Sequence, residues 1–567
     1  MKSNWRINLL GLGFLLAGLL VGYRLCYWQV LHSGELAAAA EKQHWVTFEI
    51  PAKRGEILAS DGFSLAANEQ AYLIYATPDD LKEKPEKIAR TIAPILVDNS
   101  KTKETEELIK QRLERDDLVW VPLQHKISGS TKEVLENLKI AGLGFESESK
   151  RIYPEGSSAA HLLGFVGSDT SGLDKGYFGL EGFYDLELKG KTGTLRREKD
   201  ASGRPILVGN PQEEKQTDGR TLLTTIDRSV QFIVEEKLSA GLRRYGASSG
   251  SVAIMEPKTG AIFAMTSLPT YDPANFSQFE SKLFSNPVAA FSYEPGSTFK
   301  VFVMAAALNE GVVAPETRCG RCSGPRQISG YTISTWNEKY FPDSTMTEVI
   351  QHSDNVGMVF VGEKLGSQKL VDYLKRFGLG QNTGIDLQEE ASPSLRPASE
   401  WKEIDLTTAS FGQGIALTPM QMLRAVGAIA NKGIIVKPFV VRKIIGSKGI
   451  DEVPVKEGKE IIKPATALMM TEMMVNAVDN GEAKWAKPKG YRIAGKTGTA
   501  QIPVAGHYDE EKTIASFVGF APADNPKFVM LVTLWEPTSS PWGSETAAPL
   551  WFDISRDLFT YYGILPE

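Results

Sequence analysis

The chain has 567 residues, 42% hydrophobic and 23% charged, with a formal net charge of -6. That composition belongs to a folded protein and excludes a disordered chain, while the length exceeds one ordinary core and leads us to expect a membrane segment with two or three domains. The negative balance, with no basic domain or Lys/Arg stripe, excludes nucleic acid as an expected partner.

In chain order, the first feature is apolar. Ile7 to Tyr23 carries only Asn8 and glycines against its hydrophobic run. As a helix it would span ~26 Å, enough to cross a bilayer when Leu25 to Leu31 extend it into the interface. Lys2 and Arg6 precede it, so the N-terminus is expected in the cytoplasm and everything after the span outside. A cleaved signal peptide would need the small residues Ala37 to Ala40 as its processing site. Those lie beyond Arg24, Trp28, His32 and Glu35, too far behind the apolar run, so residues 1–31 are expected to be a short tail and a retained anchor. Tyr23, Tyr27 and Trp28 fall at its outer interface, and Cys26 is expected to be an unpaired apolar residue.

Residues 45–216 are charged and broken. Pro51 to Leu58 and Gly62 to Ala67 look like strands around a turn at Asp61-Gly62. Pro85 to Leu96, Glu104 to Glu114 and Thr131 to Ile140 have helical periodicity. No acids cluster into chemistry here. Lys191-Thr192-Gly193-Thr194, in the charged run Leu188 to Asp200, is expected to be a solvated loop.

From Arg220 to Glu567, strand-like segments at Ser251 to Met255, Ala261 to Thr266, Arg492 to Gly495, Ala515 to Phe520 and Phe528 to Leu534 bracket helical patterns. Those helices are expected at Val301 to Leu308, Thr347 to Leu365, Leu370 to Phe377, Pro419 to Asn431 and Ala465 to Val478, with a last one at Ala547 to Tyr562. Strands at both ends with helices between give an α+β expectation. Lys258-Thr259-Gly260 joins the first two strands and reads as a hairpin turn.

Chemistry concentrates at Tyr293-Glu-Pro-Gly-Ser-Thr-Phe-Lys300. Ser297 falls near a helix start and Lys300 three residues on, so hydroxyl and amine share one face, beside free backbone N–H groups that favour an oxyanion. Ser-x-x-Lys also occurs at Ser100/Lys103, Ser147/Lys150 and Ser399/Lys402, where a polar surface pair is the ordinary reading. Two later elements single out Ser297: Ser353-Asp354-Asn355, and Lys496-Thr497-Gly498-Thr499 within a strand-like run. Gly246-Ala-Ser248-Ser-Gly250 matches a nucleophile elbow but precedes a strand, so a turn is expected. His352 reads as a packed or exposed helix histidine. Six histidines and three cysteines include no metal motif, so neither metal nor cofactor is expected. Cys319-Gly-Arg-Cys322 reads as a structural disulfide or as two free thiols, the disulfide favoured in an extracytoplasmic setting.

Ser-x-x-Lys, Ser-Asp-Asn and Lys-Thr-Gly together form the signature of penicillin-binding proteins and class A β-lactamases. With Arg54-Gly55, Tyr153-Pro154, His161-Leu-Leu-Gly164, Gly179-Leu-Glu181-Gly182, Phe411-Gly-Gln-Gly-Ile and Thr418-Pro419, the chain resembles a class B penicillin-binding protein, most like the division-specific FtsI type. Two stretches depart from that pattern, Ala59 to Gly62 and Glu389 to Pro393, both outside the catalytic trio. The resemblance implies a penicillin-binding-protein/β-lactamase-like transpeptidase domain over 220–567, an elongated α+β pedestal of the dimerisation type over 45–216, and one transmembrane helix.

It also implies a peptidoglycan D,D-transpeptidase, with stem peptides as substrate and β-lactams as ligands. Ser297 would be the nucleophile and Lys300 its base, Ser353 would relay the proton, and Asn355 would hold the substrate backbone. Lys496, Thr497, Gly498 and Thr499 would hold its carboxylate, with the N–H groups of Ser297 and Thr499 as oxyanion hole. A neutral Lys300 near pH 7 costs about 4.6 kcal/mol relative to its ordinary value, which needs burial and a nearby cation such as Lys496. The implied partners are an FtsW-like glycan polymerase and other divisome proteins at the cell membrane. An elongation-type transpeptidase and a non-catalytic penicillin-binding scaffold or sensor share the same features, as does a β-lactamase or carboxypeptidase apart from the anchor and pedestal.

Overall fold

The computed structural model describes residues 4–36, 45–97, 100–115, 118–170, 172–198, 212–504 and 507–567. Ala37 to Ala40, the alternative processing site, and Asp200 lie outside them. Two compact units result, one from residues 1–53 with 190–219 and one from 54–189 with 220–567.

In the first unit, the helix Trp5–Cys26 continues through a π-helical turn, Tyr27–Leu31. Together they are long and apolar enough to cross a membrane, and their leucines are exposed on every side. An apolar helix with no protein face to bury it finds its partner in lipid. The unit also holds an antiparallel sheet of Trp45–Ile50, Gly193–Glu198 and Gln212–Glu214. Lys191 and Thr192 are exposed, with Lys191 Nζ 2.6 Å from Glu214 Oε1. Gly193 and Thr194, however, open a strand instead of continuing a loop. Pairing with Trp45–Ile50 orders that charged run, and composition alone does not disclose a partner strand.

The second unit contains two larger sheets. Ile57–Leu58 and Ser64–Ala76 form the expected hairpin, and Val121–Ile127 and Leu143–Ile152 both pair with Ser64–Ala76. Neither of the last two was expected, because charged residues break their alternation. The helices Pro85–Leu96, Thr102–Leu113 and Gly129–Asn137 contribute Ile88, Ile92, Ile109, Leu113 and Leu135 to a core beside this sheet.

The other sheet runs in the order Ile262–Leu268, Ser249–Met255, Phe528–Trp535, His507–Ala521, Ala494–Val504, antiparallel throughout. Its inner strands Ser249–Met255 and Phe528–Trp535 are buried on both faces. Val252 and Ile254 point to a core shared with Trp551, Phe552 and Leu558 of the C-terminal helix Ala547–Tyr561, while Ala253 and Met255 point to the helical side. The two-residue period of a strand sorts successive side chains this way. On the helical side, the pattern expected as one helix over Thr347 to Leu365 is two, Met346–Gln351 and Asn355–Leu365, broken where Ser353 adopts φ 56°.

Two of the motifs, Arg54-Gly55 and Gly179 to Gly182, meet Arg151 at one buried ionic knot. Glu181 is fully buried and takes Arg54 on one carboxylate oxygen (2.7 Å from Nε) and Arg151 on the other (2.7 Å). Arg54 also reaches Asp185 (2.8 Å), and Arg151 reaches the carbonyl of Gly55 (2.8 Å). Nearby, Tyr184 donates to the buried Asp386, which also accepts from the N–H groups of Val440 and Val441, tying the segment beside Asp185 to the later part of the same unit. Removing one partner of a buried pair leaves an uncompensated charge, so Glu181→Ala is expected to lose ~3–5 kcal/mol. Denaturant unfolding of the detergent-solubilised chain, followed by tryptophan fluorescence, should show this as a lower midpoint, whereas Glu83→Ala, in an exposed pair with Lys87, should leave the midpoint nearly unchanged.

Candidate active site

The site is assembled from three chain segments. In the first, Gly296–Phe299 forms a 3-10 turn that runs into the helix Lys300–Asn309. This helix is apolar on all sides and Val301 to Ala307 are fully buried, so Lys300 at its start is carried into the core with them, at 0% exposure. Ser297 lies one turn earlier and lines a cavity of about 390 Å³.

The second segment is the break between helices. Thr345 and Glu348 form a capping box that starts Met346–Gln351, and Asp354 caps Asn355–Leu365 by accepting from Val356 and Gly357 N–H. Between them Ser353 takes a left-handed conformation, uncommon for a residue with a side chain. The strained turn sets its hydroxyl toward both lysines. Lys300 Nζ lies within hydrogen-bond distance of Ser353 O (2.6 Å), Ser353 Oγ (3.2 Å) and Asn355 Oδ1 (2.7 Å). Lys496 Nζ donates to the same Ser353 Oγ at 3.0 Å. Ser353 thus bridges the two amines and also lines the cleft.

The third segment is the edge strand Ala494–Val504. Gly498 is required here, because a Cβ would lie 2.4 Å from Ser516 Oγ and 2.8 Å from Thr298 Cγ2. Its absence lets the strand lie against the serine turn. Gly412 makes a similar approach, its missing Cβ lying 2.0 Å from Gly296 O, and Gly296 N donates to Gly412 O (3.0 Å). The Phe411-Gly-Gln-Gly motif thereby lies against the Ser297 turn, and Phe411 and Gln413 line the cavity.

Burial lowers the pKa of Lys300 well below the ordinary lysine value, and the Lys496 charge lowers it further, against Asp354 and Glu482. Burial also pushes Lys496 down to about 8, opposed by Glu482. The arrangement therefore provides a neutral amine and a cation on either side of one hydroxyl.

The sequence-predicted residues Ser297, Ser353, Asn355, Thr497 and Thr499 line the one cavity, with Lys300 and Lys496 behind its wall. The other three Ser-x-x-Lys pairs have no such setting. Ser147 and Lys150 lie on the strand Leu143–Ile152, where a spacing of three puts them on opposite faces. Ser399 lies within the short 3-10 turn Ala398–Glu400, and Ser100 precedes the helix Thr102–Leu113. Ser248 follows a helix end at Gly246 and leads into a strand, the reverse of a nucleophile elbow. His352 stacks on Phe341 at 4.0 Å. Cys319 and Cys322 are bridged and buried, and Cys26 is free and exposed. Glu482, Trp336 and Trp542 also line the cavity, and the sequence reading missed them because no spacing rule ties them to the motifs.

A five-stranded antiparallel sheet thus packs against a helical part, with a serine turn between two buried lysines. Residues 250–557 match the penicillin binding protein transpeptidase domain, and residues 49–224 the penicillin-binding protein dimerisation domain. Stage V sporulation protein D of Bacillus subtilis is 32% identical over 97% of this chain and 84% of its own length. The peptidoglycan D,D-transpeptidase FtsI of Escherichia coli is 29% identical over 100% of this chain and 93% of its own length. Among solved structures, a peptidoglycan synthetase from Bifidobacterium adolescentis aligns with TM-score 0.74 at 25% identity, over 92% of this chain and 98% of that one. Penicillin binding protein 3 from Mycobacterium tuberculosis in complex with aztreonam aligns with TM-score 0.71 at 25% identity, over 92% and 98%. The chain belongs to the penicillin-binding protein transpeptidase family, as a class B member with a dimerisation domain.

Lys496 has a stability signature. Its folded pKa of about 8 lies below the ordinary 10.5, so the unfolded chain binds a proton that the folded chain sheds between those values. Stability therefore rises with pH across that window, and the full cost of the buried charge is present below it. Lys496→Met is expected to raise the thermal midpoint at pH 7, with the gain shrinking between about pH 8 and 10.5. Thermal unfolding of both proteins at stepped pH measures the difference.

Proposed function

We propose that this protein cross-links peptidoglycan as a D,D-transpeptidase through an acyl-enzyme on Ser297. The observation that carries the reading is the Ser353 hydroxyl held between Lys300 and Lys496 in the cleft that Ser297 also lines. On a stem peptide ending in D-Ala-D-Ala, Ser297 Oγ attacks the penultimate carbonyl carbon and Lys300 takes the hydroxyl proton. The C–N bond to the terminal D-Ala then breaks, and its amine receives a proton through Ser353. An amine of a second strand attacks the ester carbon, the C–Oγ bond breaks, and Ser297 regains its proton. Asn355 holds the peptide backbone; Lys496, Thr497, Gly498 and Thr499 hold the terminal carboxylate; the N–H groups of Ser297 and Thr499 receive the oxyanion.

A β-lactam offers the same groups, a strained amide and a carboxylate. Penicillin is expected to form a long-lived adduct at Ser297 and at no other Ser-x-x-Lys serine. Ser297→Ala should abolish the adduct and Lys300→Ala should slow its formation by ~10² to 10⁴-fold, whereas Lys191→Ala should leave the rate unaltered. Labelling followed by tryptic mass spectrometry locates the adduct. Absence of label on folded wild type would favour a scaffold, and rapid loss of label a β-lactamase.

The division into an anchor (1–31), a pedestal (45–216) and a transpeptidase domain (220–567) gives the chain its topology, with Lys2 and Arg6 cytoplasmic and the catalytic domain outside. Septal cell-wall synthesis is the role supported by the likeness to FtsI, with an FtsW-like polymerase supplying glycan strands at the anchor and pedestal, among other divisome proteins. Exchanging residues 1–31 for an unrelated span should impair cell division while penicillin labelling of Ser297 persists. Normal division by that chimera would reduce the anchor to a tether.

A further inference from the structure

The cavity wall holds one ionisable side chain among its described lining residues, and it is an anion. Ser297, Ser353, Asn355, Gln413 and the threonines give it neutral polar groups, while Glu482 alone gives it charge. Glu482 follows the helix Pro464–Asn480 and belongs to none of the three motifs. The hydrogen bonds of Lys300 and Lys496 go to Ser353, Asn355 and Thr497, so these lysines attract Glu482 through the wall while its carboxylate faces the cleft. Two indoles border the same space: Trp336 and Trp542 have centroids 4.8 Å apart and both line the cavity. A carboxylate with the Trp336 side chain hydrogen-bonded to it and a second indole beside that one is a recognition site for an organic ammonium.

The second half of the proposed reaction brings such a group to the cleft. The donor peptide delivers a carboxylate, which suits Lys496 and the threonines and is repelled by Glu482. The acceptor delivers an amine that is protonated near neutral pH. We infer that Glu482, with Trp336 and Trp542, forms the subsite for the ammonium of the acceptor strand, and that this subsite favours amine over water as the acyl-enzyme's second substrate. The inference rests on the acyl-enzyme reading above.

Bound there, the ammonium passes one proton to the Glu482 carboxylate, and the free amine attacks the ester carbon. The new C–N bond replaces C–Oγ, Ser297 keeps the amine's second proton, and Glu482 releases its own to water. Burial raises the Glu482 pKa, opposed by Lys496 and Lys300, which eases that uptake.

The readout is a partition ratio. With a thioester analogue of the donor peptide and a primary-amine acceptor, the full-length detergent-solubilised protein forms an amide by aminolysis and a free acid by hydrolysis. Both products arise from one acyl-enzyme, so their ratio does not depend on the acylation rate. Glu482→Gln is expected to lower the amide-to-acid ratio at a fixed acceptor concentration by about tenfold or more, and Glu482→Asp to restore part of it. Trp336→Leu should lower it less. An unaltered ratio in Glu482→Gln would overturn the inference, including the case in which only the pH dependence of acylation moves, since that outcome assigns Glu482 to balancing the lysine charges. Failure of wild type to form any acyl-enzyme would instead sink the underlying function.

Discussion

Two lysine amines buried on either side of one serine hydroxyl are the constraint that the rest of the catalytic unit serves. A buried ammonium is costly, and two of them near each other cannot both stay charged, so one is driven toward neutrality. A free lysine in water has no such pressure. The apolar helix Lys300–Asn309 sinks Lys300 into the core, the edge strand Ala494–Val504 brings Lys496 to meet it, and the broken helix pair sets Ser353 between them. Each element is stable for its own reasons, and the electrostatics result from their meeting.

That meeting depends on backbones approaching closely. Gly498 against Ser516 and Thr298, and Gly412 against Gly296, are contacts in which a methyl group would collide with its neighbours. The left-handed Ser353 shows the same pressure on a residue that carries a side chain, whose hydroxyl meets both lysines. Strain there is offset by the capping box before it and by Asp354 after it. Lys496 carries a related tension, since a hydrophobic side chain in its place would suit the core better and the chemistry worse.

Far from the cleft, the Arg54–Glu181–Arg151 knot answers to different physics. Its charges neutralise one another at short range, so burial holds motifs together without moving a proton toward a substrate. Both clusters are buried and charged. What separates them is whether the charge is compensated.

Sequence by itself determined a good deal: the apolar anchor helix, the strands and helices with clean periodicity, the helix Pro85–Leu96 to the residue, and the motif residues that the structure gathers around one cavity. These were legible because period, composition and motif spacing are local properties. Tertiary structure decided the rest. Val121–Ile127, Leu143–Ile152 and Gly193–Glu198 are strands because a partner strand pairs them, and their charged patterns do not announce that partner. The break at Ser353 interrupts an apolar pattern that reads as one continuous helix, because only packing against Lys300 and Lys496 makes a left-handed serine worth its strain. Glu482, Trp336 and Trp542 reach the cleft from loops distant from one another in sequence, so only the folded chain could place a carboxylate and two indoles on the wall of the cavity that the motif residues line.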